Sequence, residues 1–81
     1  MNTIAIIEDN QTVSEEISCY LQEHGFATIV PEDFFNIPTV LEKSKADLLL
    51  LDINLGSFDG YELCRDIRRH SQIPIIFVPG R

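Results

Sequence analysis

The feature of this sequence that most constrains its fold is a run of four leucines, Leu48–Leu51, that ends directly in Asp52. A continuous apolar run of this length predicts a strand that is buried on both faces of a sheet. Because helices cover such strands, the run indicates a parallel α/β sheet. Asp52 would then lie at the carboxyl end of a central strand, where open α/β sheets place their ligands. Alternatively, Asp52 only ends the strand or caps a turn.

Extended and helical patterns alternate along the rest of the chain. They predict strands at residues 3–7, 26–30, 48–51 and 73–78, and helices at residues 11–24, at 37–44 and after residue 60. Residues 54–60 are expected to form a connecting loop that ends in an Asp59-Gly60 turn. The order β-α-β-α-β-α-β indicates right-handed crossovers and a flavodoxin-like (CheY-like) parallel α/β sheet with strand order 2-1-3-4 and flanking helices. The positions of Phe34 and Phe35 stay undecided.

Length and charge narrow the possible functions of the chain. Its 81 residues allow one small domain, 1–81, and its formal net charge is −7. This charge argues against binding of nucleic acid or of an anionic membrane by this segment, and it suits a cation or a basic partner. No apolar stretch is long enough to span a membrane, so we expect a cytoplasmic protein. Cys19 and Cys64 lie far apart and are interpreted as small buried apolar residues in a reducing compartment.

A second acidic pair, Glu8 and Asp9, follows the first predicted strand as Asp52 follows the third. In the flavodoxin-like order these two strands are neighbours, so we expect the three carboxylates to meet at one rim of the sheet. Carboxylates this close repel one another unless a cation shares the site, and an oxygen-lined site suits Mg²⁺. The sequence has no P-loop glycine pattern and no nucleophilic Ser-His or Cys-His grouping. The remaining candidate nucleophile is an Asp, which can form an aspartyl-phosphate.

The chain resembles the receiver domain of bacterial two-component response regulators, and more weakly the transcription-factor branch that carries a winged-helix DNA-binding domain. The motifs that carry the resemblance are IIEDN at 6–10, LLDINL at 50–55, GYELCRDIR at 60–68 and IPIIFV at 73–78. The resemblance implies that Asp52 accepts a phosphoryl group from a sensor histidine kinase. It also implies that Glu8 and Asp9 hold Mg²⁺ with the backbone carbonyl of Asn54, and that the domain is a signalling module rather than an enzyme.

The sequence departs from the receiver pattern at three points. Pro79 stands at the switch position, where receivers have a Ser or Thr whose hydroxyl contacts the phosphate. Gly56 stands where a proline is common, which we expect to be a minor difference. Residues 1–81 correspond to the first two thirds of a receiver, without the later helix, lysine-bearing strand and final helix. We therefore expect slow phosphorylation, and association into a homodimer or swapped assembly through an exposed fourth strand.

Two other functions remain open from the sequence. One is a phosphorylation-dead interaction or dimerisation module, which Pro79 and the unmatched lysine favour. The other is a phosphatase similar to the haloacid dehalogenases, whose nucleophile follows an apolar strand in an Asp-x-Asp motif. The segment LDIN at 51–54 resembles that motif, but Asn54 replaces its second Asp and the Glu8-Asp9 pair would have no role. Turnover of an aryl phosphate would favour the phosphatase.

Overall fold

The computed structural model of the chain describes residues 2–56 and 58–79. Strands and helices alternate in it as the sequence predicts. In chain order they are β1 (Thr3–Ile7), α1 (Gln11–Glu23), β2 (Ala27–Ile29), α2 (Ile37–Ser44), β3 (Leu48–Asp52), β4 (Asn54–Leu55), β5 (Phe58–Asp59), α3 (Gly60–Arg68) and β6 (Ile75–Val78).

Four of the strands form one parallel sheet in the order β2-β1-β3-β6. Because β6 is the predicted fourth strand, the flavodoxin-like α/β fold and its strand order are confirmed. The two apolar strands β1 and β3 occupy the centre of the sheet. β1 is buried from Ile4 to Ile7, whereas in β3 buried Leu49 and Leu51 alternate with half-buried Leu48 and Leu50. The outer strand β6 exposes 51% of Ile76. Association with a second copy through this edge stays a prediction.

The main apolar core lies between the sheet and the two helices α2 and α3. Side chains alternate between the two faces of a strand, so Ala5, Ile7, Leu49 and Leu51 point to the same side. They join a buried cluster whose other members are Ile37, Leu41, Leu55, Leu63, Ile67 and Ile73. Ile4 and Ile6 are buried on the opposite side, and α1 contacts β1 and β2. β1 is therefore covered on both faces, whereas the side of β3 that carries Leu48 and Leu50 is only half-buried. The expectation that the Leu48–Leu51 strand is buried on both faces is wrong in part.

Local sequence signals explain where the first two helices begin and end. The Asn10 side chain caps α1, its Oδ1 accepting a hydrogen bond from the Val13 backbone N–H at 3.2 Å. Shortly after α1, Gly25 adopts φ +89°, which suits a glycine at a helix C-terminus. Helix α2 has Pro38 in its first turn and ends at Lys45, which takes the left-handed conformation with φ +55°. These caps and stops place α1 and α2 close to their predicted ranges.

The predicted loop at residues 54–60 is wrong in part, because a short antiparallel hairpin occupies it. In this hairpin Asn54 pairs with Asp59 and Leu55 pairs with Phe58, so residues 56 and 57 connect its strands. Gly56 has φ +65°, the left-handed conformation that the first residue of a two-residue hairpin turn needs. Ser57 lies outside the described residues. The hairpin strands contribute only two residues each, which is too short for a period-two pattern to reveal.

The structure settles the positions of the two phenylalanines before α2. Phe34 is half-buried and packs against the main core, whereas Phe35 is 80% exposed. Both rings meet the ring of Phe58 edge-on, with centroid distances of 5.5 Å for Phe34 and 5.2 Å for Phe35. Edge-on aromatic pairs of this kind are favourable beyond the area they bury. The segment before α2 therefore supports the hairpin that follows β3.

The prediction that both cysteines are buried is wrong for Cys19. Cys64 is half-buried against the core, but Cys19 is exposed, and both are free thiols. The half-buried apolar residues of α1 include Ile17 and Leu21. Cys19 lies two positions from each of them, so the helical period turns it towards solvent. Among the described residues, no helix is long and apolar enough to cross a membrane.

Candidate functional site

The site is built where the two central strands end. Ile7 and Leu51 are paired in the parallel register of β1 and β3, so the next residues, Glu8 and Asp52, lie side by side. With Asp9, these residues each supply one carboxylate oxygen to a group in which all the oxygens lie within 4.8 Å of one another. The structure therefore brings together the three carboxylates that the sequence places at strand ends. A burial gradient runs through them, from exposed Asp9 through half-buried Glu8 to Asp52.

Asp52 is the innermost and best-held carboxylate of the group. Its side chain is 5% exposed, and its Oδ1 accepts a hydrogen bond from the Asn54 backbone N–H at 3.0 Å. Its strand is also fixed on the far side, because Asp52 pairs with Val78 of β6. Since Oδ1 is engaged with a backbone donor, Oδ2 is the oxygen left for chemistry. This geometry presents one oriented carboxylate oxygen at the rim of the sheet.

The Glu8 carboxylate shows that these charges crowd one another. Burial, together with the neighbouring Asp52 and Asp9 carboxylates, raises the pKa of Glu8 above its ordinary value. A hydrogen bond from the Asn10 backbone N–H to Glu8 Oε2, at 3.1 Å, opposes part of this rise in pKa. In the described part of the chain, no lysine or arginine forms an ion pair with any of the three carboxylates. The group therefore carries a surplus of negative charge.

We expect Glu8→Gln to raise the melting temperature of the metal-free protein at neutral pH. Because the pKa of Glu8 is raised in the folded state, that state binds the proton more tightly than the unfolded chain does. The wild type must therefore lose stability as the pH rises through the ordinary glutamate pKa and then through the raised one. Glutamine resembles the protonated form and removes this loss. In thermal melts, the wild type and Glu8→Gln should have similar melting temperatures at acidic pH. Towards neutral pH, the melting temperature of Glu8→Gln should become the higher of the two.

A close backbone approach ties α3 to the end of β3. Gly60, the first residue of α3, is buried, and its backbone N–H donates to the Ile53 carbonyl at 3.2 Å. A Cβ at this position would lie 2.8 Å from each of three backbone atoms, the Asp52 carbonyl O, the Ile53 Cα and the Ile53 carbonyl O. Only glycine fits here without a backbone shift. The predicted turn at Asp59-Gly60 is thus a helix start, in which the Asp59 side chain accepts from the Tyr61 N–H at 2.9 Å.

The hairpin after β3 forms the outer wall of the site. A cleft of about 230 Å³ opens between the strand ends and this hairpin, and it is lined by Glu8, Asp9, Asn10, Asp52, Asn54 and Gly56. Gly56 faces Asp9, since a Cβ built on it would lie 3.3 Å from Asp9 Oδ2. A proline has φ near −65° and could not adopt the φ of +65° found here. A proline at this position would therefore require a different path of the loop, and the expectation that Gly56 is a minor difference stays a prediction.

Two features of the site were not predicted from the sequence, namely the hairpin turn at Gly56 and the close backbone approach at Gly60. The first of them left a signal in the sequence. The dipeptide Gly56-Ser57 is of a type that joins the strands of two-residue hairpins, and the apolar residues Leu55 and Phe58 flank it. The role of Gly60 left no comparable signal, because a close approach between two backbones has no periodicity. Pro79 lies where the sequence places it, exposed and directly after Val78, the strand partner of Asp52. It does not line the cleft.

The residues present suit a small hard cation. The donors are carboxylate oxygens, without sulfur or imidazole ligands, and they converge from two adjacent strand ends. Oxygen-only sites with few protein ligands are typical of Mg²⁺, which keeps several of its waters. A divalent cation would also offset the repulsion that raises the pKa of Glu8. The chemistry and spacing of the donors therefore fit the predicted metal.

Comparison with known proteins agrees with the fold. Residues 4–81 match the family described as the response regulator receiver domain, and the chain belongs to this family. It is 44% identical over 81 residues to the transcriptional regulatory protein YxdJ of Bacillus subtilis, covering all of this chain and 35% of YxdJ. It is 37% identical over 81 residues to the sensory transduction protein BceR of Halalkalibacterium halodurans, again covering all of this chain and 35% of the relative.

Solved structures give the same result. The BeF3-activated N-terminal receiver domain of RstA from Klebsiella pneumoniae superposes with a TM-score of 0.88 at 36% identity, covering 99% of this chain and 68% of that one. The chain spans about a third of the length of the relatives YxdJ and BceR. Membership of the receiver family favours two-component signalling over the phosphatase that the LDIN segment suggested.

Proposed function

We propose that this chain accepts a phosphoryl group on Asp52, with Mg²⁺ held by Glu8, Asp9, Asp52 and the backbone carbonyl of Asn54. The observation that carries this proposal is the convergence of three carboxylates within 4.8 Å around a buried strand-end aspartate in a receiver-family chain. Receivers are generally signal-accepting modules rather than turnover enzymes. We expect the donor to be the phosphohistidine of a sensor kinase. The relative YxdJ is a transcriptional regulatory protein, which supports a parent protein that regulates transcription.

The reaction is a displacement at phosphorus. The Asp52 Oδ2 atom attacks the phosphoryl group, an O–P bond forms, and the bond from phosphorus to the donor's histidine nitrogen breaks. The nitrogen leaves with the bonding electron pair and takes up a proton, and an aspartyl-phosphate remains. The Asn54 N–H holds Oδ1 at 3.0 Å and thereby fixes the direction of Oδ2. When bound, Mg²⁺ would neutralise charge on the transferring group.

The added phosphate changes the charge at the end of β3. A phosphoryl group brings about −1.5 to −2 charges and strong acceptor oxygens, which can bias a two-state loop or helix surface. Two candidate segments for such a response lie next to Asp52, namely the hairpin β4–β5 and the start of α3. Both contact the site through short backbone approaches at Asn54 and Gly60. We infer that these segments carry the first structural response to phosphorylation.

We expect Mg²⁺ to raise the stability of the folded chain. At a free concentration ten times its dissociation constant, a ligand that binds only the folded state adds about 1.4 kcal/mol. Thermal or urea unfolding with and without MgCl2 measures this gain. Asp52→Asn should reduce it strongly, whereas Glu42→Gln, which neutralises an exposed glutamate on α2, should keep it. An undiminished Mg²⁺ response in Asp52→Asn would rule out this site.

Phosphorylation itself is tested by incubating the chain with acetyl phosphate and MgCl2 and measuring the intact mass. The expected product is one acid-stable, hydroxylamine-sensitive phosphoryl group, which is absent from Asp52→Asn. Aryl phosphate turnover in the same buffer would instead favour a phosphatase. A chain that binds Mg²⁺ but takes no phosphate would favour the interaction-module interpretation.

A further inference from the structure

Among the described residues, Phe35 is the most exposed large apolar side chain, and two further rings extend the surface to which it belongs. Phe35 meets Phe58, and Phe58 in turn meets Phe34, so the three rings are contiguous. A cleft of about 590 Å³ runs from these rings along the outer side of α3. We call the three rings and this side of α3 the aromatic surface. Contiguous exposed apolar groups beside a cleft, unlike single ones, mark an interaction surface.

The charged residues of the aromatic surface change sign along α3. Asp59 caps the start of the helix and Glu62 lies in its first turn, whereas Arg65 lies in its last turn and Arg69 caps its end. All four are exposed and line the cleft. Asp66 also lines the cleft and forms an ion pair with Arg69 at 3.5 Å. The aromatic surface is therefore acidic at the end next to Phe58 and basic at the other end.

This charge pattern is complementary to itself. A two-fold axis that crosses α3 places two copies of the helix antiparallel, so the acidic start of one lies against the basic end of the other. Phe35 belongs to the acidic end and would then lie beside the arginines of the second copy. Guanidinium groups stack favourably on aromatic faces. A partner with charge of a single sign would be repelled by one end of the surface.

The first half of the chain offers no comparable surface for a second copy. Residues 1–42 contain Asp and Glu residues but no Lys or Arg. A symmetric contact through α1 would therefore bring like charges together, which is costly in an interface. The formal net charge of −7 opposes association in most other orientations as well. The sign change along α3 removes this obstacle at the aromatic surface.

From this geometry we infer that a second copy of the chain binds at the aromatic surface, with the two α3 helices antiparallel about a two-fold axis. The inference does not depend on the proposed phosphorylation of Asp52. It also names a different surface from the edge of β6. Because one helix and three rings form a small contact, the dimer is weak and depends on protein concentration.

Sedimentation velocity over a wide range of protein concentrations, in about 0.15 M NaCl, tests this dimer. Phe35→Ser should raise its dissociation constant about tenfold or more, as the loss of an aromatic anchor in an interface does. Tyr20→Ser is the matched control, because it removes another exposed aromatic ring, on α1, and should leave the dissociation constant unchanged. Ile76→Lys places a charge on the edge strand and detects any association through β6.

Charge reversal tests the two-fold arrangement. In Glu62→Arg two sets of arginines face each other across the axis, and in Arg65→Glu two sets of carboxylates do so. Each variant alone should therefore dimerise about tenfold more weakly than the wild type. In an equimolar mixture these contacts join opposite charges, so the two variants should form a heterodimer. A change confined to the stability of α3 within one chain cannot produce this recovery.

A chain that stays monomeric at every concentration would overturn the inference. Equal dimerisation of the wild type and Phe35→Ser would overturn it too, as would association that is lost in Ile76→Lys and kept in Phe35→Ser. A mixture of Glu62→Arg and Arg65→Glu that associates no better than either variant alone would exclude the antiparallel contact of the two helices.

Discussion

Replacing Pro79 with threonine should accelerate the phosphorylation of Asp52 by acetyl phosphate by on the order of 10². Pro79 follows Val78, the strand partner of Asp52, and it has neither a hydroxyl group nor a backbone N–H. Pro79 does not line the cleft itself, but it follows the strand partner of Asp52. As in receivers, we expect a hydroxyl here to donate to a phosphoryl oxygen carried by Asp52 as charge develops on it. Donors aimed at developing charge commonly contribute factors of this size. Initial labelling rates with saturating Mg²⁺, measured by intact mass, give the comparison.

Pro79→Val is the matched control for this experiment. Valine has nearly the shape of threonine and also restores the backbone N–H, but it lacks the hydroxyl. We expect Pro79→Val to label much more slowly than Pro79→Thr. Equal rates in the two variants would show that the hydroxyl has no role here. Rates in Pro79→Thr equal to those of the wild type would indicate that Pro79 is not what limits phosphorylation.

Replacing Gly60 with alanine should destabilise the fold by about 1–3 kcal/mol, the usual cost of forcing extra volume into a packed position. A Cβ there would meet three backbone atoms at 2.8 Å, and backbone cannot move aside as a side chain can. Helix propensity alone would give the opposite sign, because alanine is favoured over glycine in helices by about 1 kcal/mol. The sign of the change in unfolding free energy therefore decides between the two effects. Urea unfolding followed by circular dichroism measures it.

The same substitution should also weaken the response to Mg²⁺, because one of the displaced atoms is the carbonyl oxygen of Asp52. Gly25→Ala provides the comparison. Gly25 has φ +89° with nothing within 4 Å of a built Cβ, so alanine there is strained only through the backbone. Gly25→Ala should lower the free energy of unfolding without Mg²⁺. The increase in that free energy on adding Mg²⁺ should be the same as in the wild type. A Gly60→Ala protein as stable as the wild type would contradict the close approach.

The parts of the fold that follow from hydrophobic patterning could be predicted from the sequence. The continuous apolar runs of β1 and β3 predict central strands of a parallel sheet, and this places the residues after them at one rim. The positions of Glu8 and Asp52 relative to each other therefore follow from strand order and register. Interactions between backbones do not follow from such patterns. The contact of Gly60 with the end of β3 depends on the angle at which α3 leaves the hairpin.

The start of the predicted fourth strand also does not follow from the hydrophobic pattern. The apolar pattern begins at residue 73, but the strand begins at Ile75. Pro74 has no backbone N–H to donate to the sheet, and the Arg68 guanidinium donates to the backbone carbonyls of Ser71 and Ile73. Ile73 is nevertheless buried in the core, so the apolar pattern of the sequence continues back to it. The proline and one long side chain from the preceding helix together explain the boundary.

The position of the carboxylates on the two innermost strands has a consequence for how the chain unfolds. Glu8 and Asp52 are separated in sequence by α1, β2 and α2, and they meet only when β1 and β3 are paired. A cation shared between them acts as a reversible cross-link that closes this long loop. The loop is open in the unfolded chain, so the unfolded chain cannot bind the cation with the same set of ligands. Separation of the central strands must therefore release the ion, and escape from the native state becomes slower as the ion binds more tightly.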